Sequence, residues 1–343
     1  MNVYHNESLW GNVKRGPKLT PLSINRTFLW EGQEIYIPAV YVGKSGAVLD
    51  VCAKITIEEM TSFLKKWNKE RRLSLKTPED FELIDADNPA SKEFAVEMMF
   101  DDTPLVRSVS SSLNWYPEDV FRAGDENLDE MVEASAEEWK NDNVAEELMA
   151  AYECDPKCCW HFERLSYNWN GEGVLSPRNV SLTFQARFIP VSVGHFTTGI
   201  DSLPTELKTI HPATGEEYTL TLLGCEQIQH NSDDIGEKDV VYPEHCQVLS
   251  YRISPEISRN FFDIRDCAES DQPILPNSRK KSGRSTGAIS VFMAGKSSVP
   301  DSRTAVSSLH FEPQEKVQWR MVFYVQPKAD INVSFPLKVF EKY

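Results

Sequence analysis

At 343 residues the chain exceeds one typical domain and favours two, and 41% hydrophobic with 26% charged residues are the proportions of a folded chain, which excludes collagen-like and low-complexity architectures. Lys and Arg total 36 against 52 Asp and Glu, a formal net charge of −16 that disfavours a nucleic-acid backbone or an anionic membrane as a whole-surface partner. No apolar run approaches the roughly 18 residues of a spanning helix, and the opening MNVYHNESLWGNVKRG lacks the apolar stretch of a secretory signal; the expected location is cytoplasmic, with no membrane partner, and the seven cysteines, an odd number, then read as thiols.

Residues 1–25 mix Gly, Pro and Lys without periodicity and read as an irregular lead-in. Phe28 to Trp30, Glu34 to Val42 and Ala47 to Ile55 are rich in Ile, Val and Tyr and separated by Gly-containing turns, which predicts three consecutive strands. Pro38 has no N–H to give to a ladder, so its strand is an edge or is bulged there. Thr56 with Glu59 forms a capping box, and Ile57, Met60, Phe63, Leu64 and Trp67 then fall on one face of a helix packed on that sheet. Glu93 to Phe100 and Leu105 to Trp115 predict two more strands, the second weakened by the polar run Ser108 to Ser112. Between Asp125 and Tyr152 two apolar stripes, Leu128, Met131, Val132, Ser135 and Trp139, then Val144, Leu148, Met149 and Tyr152, predict two helices or one kinked helix.

From Glu79 to Asp155, 23 acidic residues meet only Lys92, Arg107, Arg122 and Lys140, a net −19, while the rest of the chain sums to +3. The acidity is one segment. Such a run makes either a solvated helical face or a docking surface for a basic partner. After Cys154 the pattern turns to period two, in CCWHFERLSYNW, NVSLTFQARFIPVSV, EYTLTLLGC, CQVLSYRIS, AISVFMAG, KVQWRMVFYV and INVSFPLKVF, the pattern of a β-sandwich. In the sixth of these, Val317, Trp319, Met321, Phe323 and Val325 share a buried face, leaving Gln318, Arg320, Tyr324 and Gln326 opposite.

Chemistry has few places to reside. The run ECDPKCCWHFE holds Cys154, Cys158, Cys159 and His161, donors that suit zinc, and a turn at Asp155 and Pro156 brings Cys154 toward the following strand. Alternation sets Cys159, His161 and Glu163 on one face, so Cys154, Cys159 and His161 are the candidate metal ligands, and Glu163 is the carboxylate to fix the imidazole tautomer. The rival reading is a strand start packed into the core. Cys225, His230, His245 and Cys246 frame the loop NSDDIGEKD and form a weaker second grouping. Arg279, Lys280, Lys281 and Arg284 in SRKKSGRSTG offer charge for a phosphate without the spacing of a P-loop, and no G-x-S-x-G elbow or kinase signature occurs. Trp160, Phe162, Tyr167, Trp169, Trp319, Phe323 and Tyr324 are read mostly as core rather than as sugar-stacking rings.

The expected fold is α+β and mainly β: an N-terminal sheet with helices followed by an antiparallel, jelly-roll-like β-sandwich. The expected divisions are the lead-in 1–25, an α+β domain 26–155 holding the acidic helical segment, and a sandwich domain 156–343. The leading function is a cytoplasmic, non-catalytic binding or assembly protein for a protein or carbohydrate partner. The alternative is a hydrolase, metal-dependent or not, that uses His161 and Glu163.

Overall fold

The computed structural model describes residues 1–10, 16–68, 71–72, 74–90, 94–118, 120, 143–171, 173, 176–199, 202–230, 240–274 and 302–337. They form a mainly β protein, 54% strand against 13% helix, in which every sheet is antiparallel. Packing divides the chain into two compact units. Met1–Ser74, Ile84–Arg187 and Gln326–Tyr343 make the first, and Leu75–Leu83 with Phe188–Val325 make the second. This division is not the linear one drawn from pattern at residue 155, because strands on both sides of that point pair within the first unit. The stripe Leu128 to Trp139, the segment AISVFMAG and the basic run at Ser278 to Gly287 lie outside the described residues.

Seven strands open the chain: β1 Thr20–Trp30, β2 Gln33–Gly43, β3 Gly46–Ile55, β4 Phe94–Phe100, β5 Thr103–Trp115, β6 Cys159–Trp169 and β7 Asn179–Ala186. The second unit holds β8 Ile189–Gly199, β9 Glu206–Ile210, β10 Glu217–Gln229, β11 His245–Ser254, β12 Phe262–Asp266, β13 Arg303–Val306 and β14 Lys316–Val325, before β15 Ile331–Pro336 returns to the first. Three helices accompany them among the described residues: α1 Ile57–Lys66, α2 Pro78–Asp87 and α3 Asn143–Ala151.

The first unit is an eight-stranded, nearly closed sheet in the order β1-β2-β3-β6-β5-β4-β7-β15. Glu31 and Gly32, both at positive φ, turn β1 into β2, as a two-residue hairpin loop requires. β2 lies inside the sheet, and its register breaks on β1 between Ser23 and Arg26 and on β3 between Tyr36 and Val40, so Pro38 sits in a bulge and not on an edge. Most of the enclosed face is apolar. Ile35, Ile37, Val40, Leu49, Val51, Val96, Met98, Phe100, Leu165, Leu182 and Phe184 meet there in one core. The capping box of α1 forms as expected, Thr56 Oγ1 accepting from Glu59 N at 3.1 Å and Glu59 Oε2 accepting from Thr56 N at 3.0 Å. Met60 then packs with Ile55, Ala90, Val120 and Cys159.

On the other face of β3 and β6, α3 lays Ala145, Leu148 and Met149 over Cys52, Trp160 and Phe162. Beside this patch, Asp50 and Arg164 stand directly opposite one another on β3 and β6. Arg164 donates from Nε to Oδ1 at 2.8 Å and from Nη2 to Oδ2 at 2.6 Å, a fully buried two-pronged pair. Tyr152, at the end of α3, also donates to Asp50, and its hydroxyl lies 3.1 Å from that of Tyr41 on β2. Burial first, and then the Asp50 carboxylate, raise the Tyr152 phenol well above its ordinary value, so it remains a donor.

In the second unit a four-stranded sheet, β13-β11-β10-β9, and a three-stranded one, β12-β14-β8, contribute to one core. Leu220, Leu249 and Tyr251 come from the first, and Phe262, Trp319 and Phe323 from the second; Trp319 Nε1 donates to Thr198 Oγ1 at 2.8 Å. The run NVSLTFQARFIPVSV is two strands, broken at Arg187 and Phe188 and shared between β7 and β8. Val317, Trp319, Met321 and Phe323 are buried as alternation demands, but Arg320 on the opposite face is buried too, at 2% exposure. Its guanidinium is held by Glu82 of α2, with Nη1 to Oε2 at 2.6 Å and Nη2 to Oε1 at 3.0 Å, while Arg265 Nη1 reaches the same carboxylate at 2.6 Å. Glu79, one turn earlier, meets His195 Nε2 at 2.8 Å. This acidic helix start is therefore fixed to a sheet, not merely solvated. Among the described residues no helix is long and apolar enough to cross a membrane.

Removing one partner of a buried pair strands the other without water. Asp50→Ala is expected to lower the stability of the full chain by about 3 to 5 kcal/mol in urea denaturation. Replacing both members, Asp50→Leu with Arg164→Met, is expected to lose less than the sum of the two single changes. Simple additivity in that cycle would mean that the pair is not coupled.

Candidate functional site

β6 runs between β3 and β5, so its two faces have different neighbours. Leu165 and Tyr167 point into the enclosed core, and alternation carries Glu163, His161 and Cys159 to the same side. Trp160 and Phe162 point the other way, beneath α3. Cys159, His161 and Glu163 thus share a face, as the period predicts. Cys154 does not join them, because the turn through Asp155 and Pro156 leaves it on the opposite face, in the patch with Cys52, Trp160 and Phe162. Its thiol contact is with Cys52, whereas Cys159 packs with Ile55, Met60, Ala90 and Val120.

The imidazole partner is one that sequence reasoning missed. Asn114 on β5 is level with His161, and its Oδ1 lies 2.7 Å from His161 Nδ1. A carbonyl oxygen only accepts, so Nδ1 carries the proton and Nε2 keeps the lone pair. Asn114, not Glu163, sets the tautomer. The signal was cross-strand register, which becomes readable only when the pairing of β5 with β6 is known. The ring of Phe94 stands edge-on to the imidazole with centroids 6.4 Å apart, and burial lowers the His161 pKa to about 4. His161 is neutral at physiological pH.

Glu163 is pushed the other way. Burial lifts its carboxyl to about 7, against the opposing pull of the Arg107 guanidinium at 3.6 Å. Ser112 is its level partner on β5, and Tyr167, four residues further on, donates its hydroxyl to the Val96 carbonyl of β4 at 2.8 Å. The site accordingly offers a neutral imidazole, a carboxyl poised near neutrality, an arginine and small hydroxyls, the set needed to bind and exchange protons at a polar ligand. Among the described residues no group of three His, Cys, Asp or Glu side chains is placed to hold a metal ion.

β4 and β5 bound this site unevenly. They are joined by Asp101 and Asp102 and pair only at Met99 with Pro104 and Phe100 with Thr103. Beyond that point β4 stays on β7 and β5 stays on β6, and the hairpin splays. Elsewhere, Cys225, His230, His245 and Cys246 are not gathered. Cys246 Sγ lies 3.6 Å from His230 Nε2, but the Cys225 thiol donates to Gln247 Oε1 at 3.1 Å and the His245 backbone pairs with His310. The loop they frame falls largely at residues 231–239, outside the described residues. The aromatic rings on β6 are occupied as core: Trp160, Phe162 and Tyr167 are buried, and Trp169 packs on Phe100 with centroids 5.7 Å apart.

Glu163 and His161 give opposite pH signatures. The folded pKa of Glu163 lies above its ordinary value, so its contribution to stability is complete below about 4.5 and lost as the pH rises through about 7. That of His161 lies below, so its contribution is complete above about 6.5 and lost as the pH falls through about 4. Glu163→Gln is expected to gain up to about 3 kcal/mol over the parent chain near pH 8 and nothing near pH 4, read from urea midpoints. Equal differences at both pH values would mean that the carboxyl titrates normally. Thiol titration of the denatured, unreduced chain is expected to count close to seven, since Cys52, Cys154, Cys158, Cys159, Cys225, Cys246 and Cys267 are all free. Comparison with known proteins assigns the chain to no group: no family model, no curated protein and no solved structure matches it.

Proposed function

We propose that the chain is a cytoplasmic, non-catalytic binding or assembly protein that recognises a protein or carbohydrate partner. The observation that carries this reading is the separation of charge: −19 over Glu79 to Asp155 against +3 for everything else. Charge of one sign gathered in one segment steers and selects partners of the opposite sign. Part of it is spent within the fold, on Arg320, Arg265 and His195, and at Asp87 on Lys66 and Trp67, but Asp85 on α2 and Glu146 and Glu147 on α3 remain exposed. In this reading the two sheets of the second unit form a jelly-roll-like antiparallel β-sandwich, a framework suited to carrying recognition loops, and the free thiols belong to a reducing compartment.

A hydrolase built on His161 and Glu163 is the second reading, and the Glu163 carboxyl lifted to about 7 on the same face as the imidazole is what favours it. Elemental analysis of the purified chain bears on its metal-dependent form: stoichiometric transition metal that is lost in His161→Ala would select the hydrolase. For the binding reading, partner affinity is expected to fall at least about tenfold between about 50 and 300 mM salt, because exposed charges are screened within about 10 Å at 0.1 M. An affinity that stays flat over that range would remove the acidic segment from recognition.

A further inference from the structure

Two of the seven thiols meet. Cys52 on β3 and Cys154 beyond α3 are about a hundred residues apart in sequence, yet both belong to the buried patch beneath that helix, and their side chains are in contact. The end of the helix explains the meeting. Tyr152 N donates to Leu148 O at 2.9 Å and Cys154 N donates to Met149 O at 3.1 Å, with Glu153 between them at a φ of 52°. This is a Schellman ending, in which one left-handed residue turns the chain and the next folds back on the last helical turn. Cys154 is that next residue, so its side chain returns to the sheet in the same apolar cluster as Met149.

Cys52 meets it from a fixed position. It stands level with Tyr36 on β2 and with Phe162 on β6, held in a ladder on each side. Burial first, and then the neighbouring Cys154 thiol, hold the Cys52 thiol well above its ordinary value, so Cys52 keeps its proton. Access to the two sulfurs differs. Cys52 is fully buried, whereas Cys154 reaches 9% exposure in the connection between α3 and β6. Other thiols have other neighbours: Cys158 Sγ donates to Asp155 Oδ2 at 3.6 Å, Cys159 packs on the opposite face with Ile55 and Met60, and Cys225 and Cys246 contact Gln247 and His230.

We propose that Cys52 and Cys154 form a redox site, closing to a disulfide when a peroxide reaches the chain and reopening to thiols under a dithiol reductant. Cys154, the more accessible sulfur, attacks one oxygen of hydrogen peroxide. The O–O bond breaks, the other oxygen leaves as water with the Cys154 proton, and Cys154 becomes a sulfenic acid. Cys52 then attacks that sulfur, the S–O bond breaks, and the hydroxyl leaves as water with the Cys52 proton. Each thiol gives up one electron, and one peroxide is reduced to two waters. The second step draws the sulfurs from contact to about 2.05 Å. Cys52 is pinned between its two ladders, so the movement falls to Cys154 in its connection.

Closure ties β3 to the end of α3 and encloses α1, α2, β4, β5 and nearly the whole acidic segment in one covalent loop. A long loop restricts the unfolded chain more than a short one, so the oxidised chain resists denaturation. Thiols at rest and a disulfide on demand are compatible with a reducing compartment, where disulfides are transient and sense oxidants. The inference goes beyond the binding reading and does not depend on it.

The test uses the full chain, reduced, freed of reductant, treated with a few equivalents of hydrogen peroxide, and only then denatured in an alkylating agent. The thiol count is expected to fall by two from seven. Trypsin isolates both partners from every other cysteine, because Lys54 follows Cys52 and Lys157 stands between Cys154 and Cys158. Mass spectrometry is expected to find residues 45–54 linked to residues 141–157, a species that dithiothreitol removes. The urea midpoint of the oxidised chain is expected to rise by about 1 M and to return with the reductant. Cys154→Ser is expected to keep its remaining thiols through the treatment, and Cys158→Ser to lose two as the parent does. The count and the linked peptides are read on the unaltered chain, so the result does not depend on how a variant folds. The proposal is overturned if the count stays at seven, if Cys154 is found linked to Cys158, or if Cys154 carries only sulfinic or sulfonic acid. It is also overturned if the linked peptides form only once the chain has been unfolded.

Discussion

A carboxylate in the middle of a strand buried on both faces has to be neutralised where it stands, and Asp50 on β3 is such a group. Its position opposite Arg164 is set by the register of β3 on β6, so any slip of one residue would bury two unpaired charges at once. The pair thus acts as a registration mark for the two central strands. Tyr152 adds a helix to the same carboxylate, and Tyr41 adds β2 through the Tyr152 hydroxyl. Four elements, two early in the chain and two about a hundred residues later, are referred to one point, beside the apolar patch beneath α3.

The second unit solves a related problem with different parts. Arg320 lies on a strand face that alternation assigns to solvent, and its burial is tolerable because Glu82 brings a carboxylate from far earlier in the chain. His161 and Glu163 show burial outweighing their polar partners, Asn114 for the imidazole and Arg107 for the carboxyl. Desolvation favours the neutral form of each, which moves an acid up and a base down. Two neighbours on one strand face, a neutral imidazole and a carboxyl that titrates at about 7, are thus shifted in opposite directions for one physical reason.

Local signals in the sequence were the legible ones. The Thr56 capping box, the bulge at Pro38 and the shared face of Cys159, His161 and Glu163 each depend on residues within a few positions of one another, and each is present. Cys154 illustrates where that reasoning stops. A turn at Asp155 and Pro156 is legible, but the face to which it returns the chain depends on Cys52, about a hundred residues earlier. Asn114 was hidden in a strand whose polar run argued against it, and Arg320 was hidden because its counter-charge is 238 positions away. The splay between β4 and β5 has no sequence signature at all, since pairing energy belongs to partners and not to strands.

β15 completes the first unit only after the whole of the second has been spelled out. It pairs with β7, Ile331 standing opposite Phe184, so the sheet cannot finish until a segment synthesised some 147 residues later arrives. On the ribosome the growing first unit must wait with one flank of β7 bare, while β8 to β14 emerge and collapse on their own core. Folding of that insert shortens the effective loop between β7 and β15 and lowers the entropy of closing it. The order of events is thereby written into the topology: the inserted unit is the chaperone of closure for the sheet that contains it.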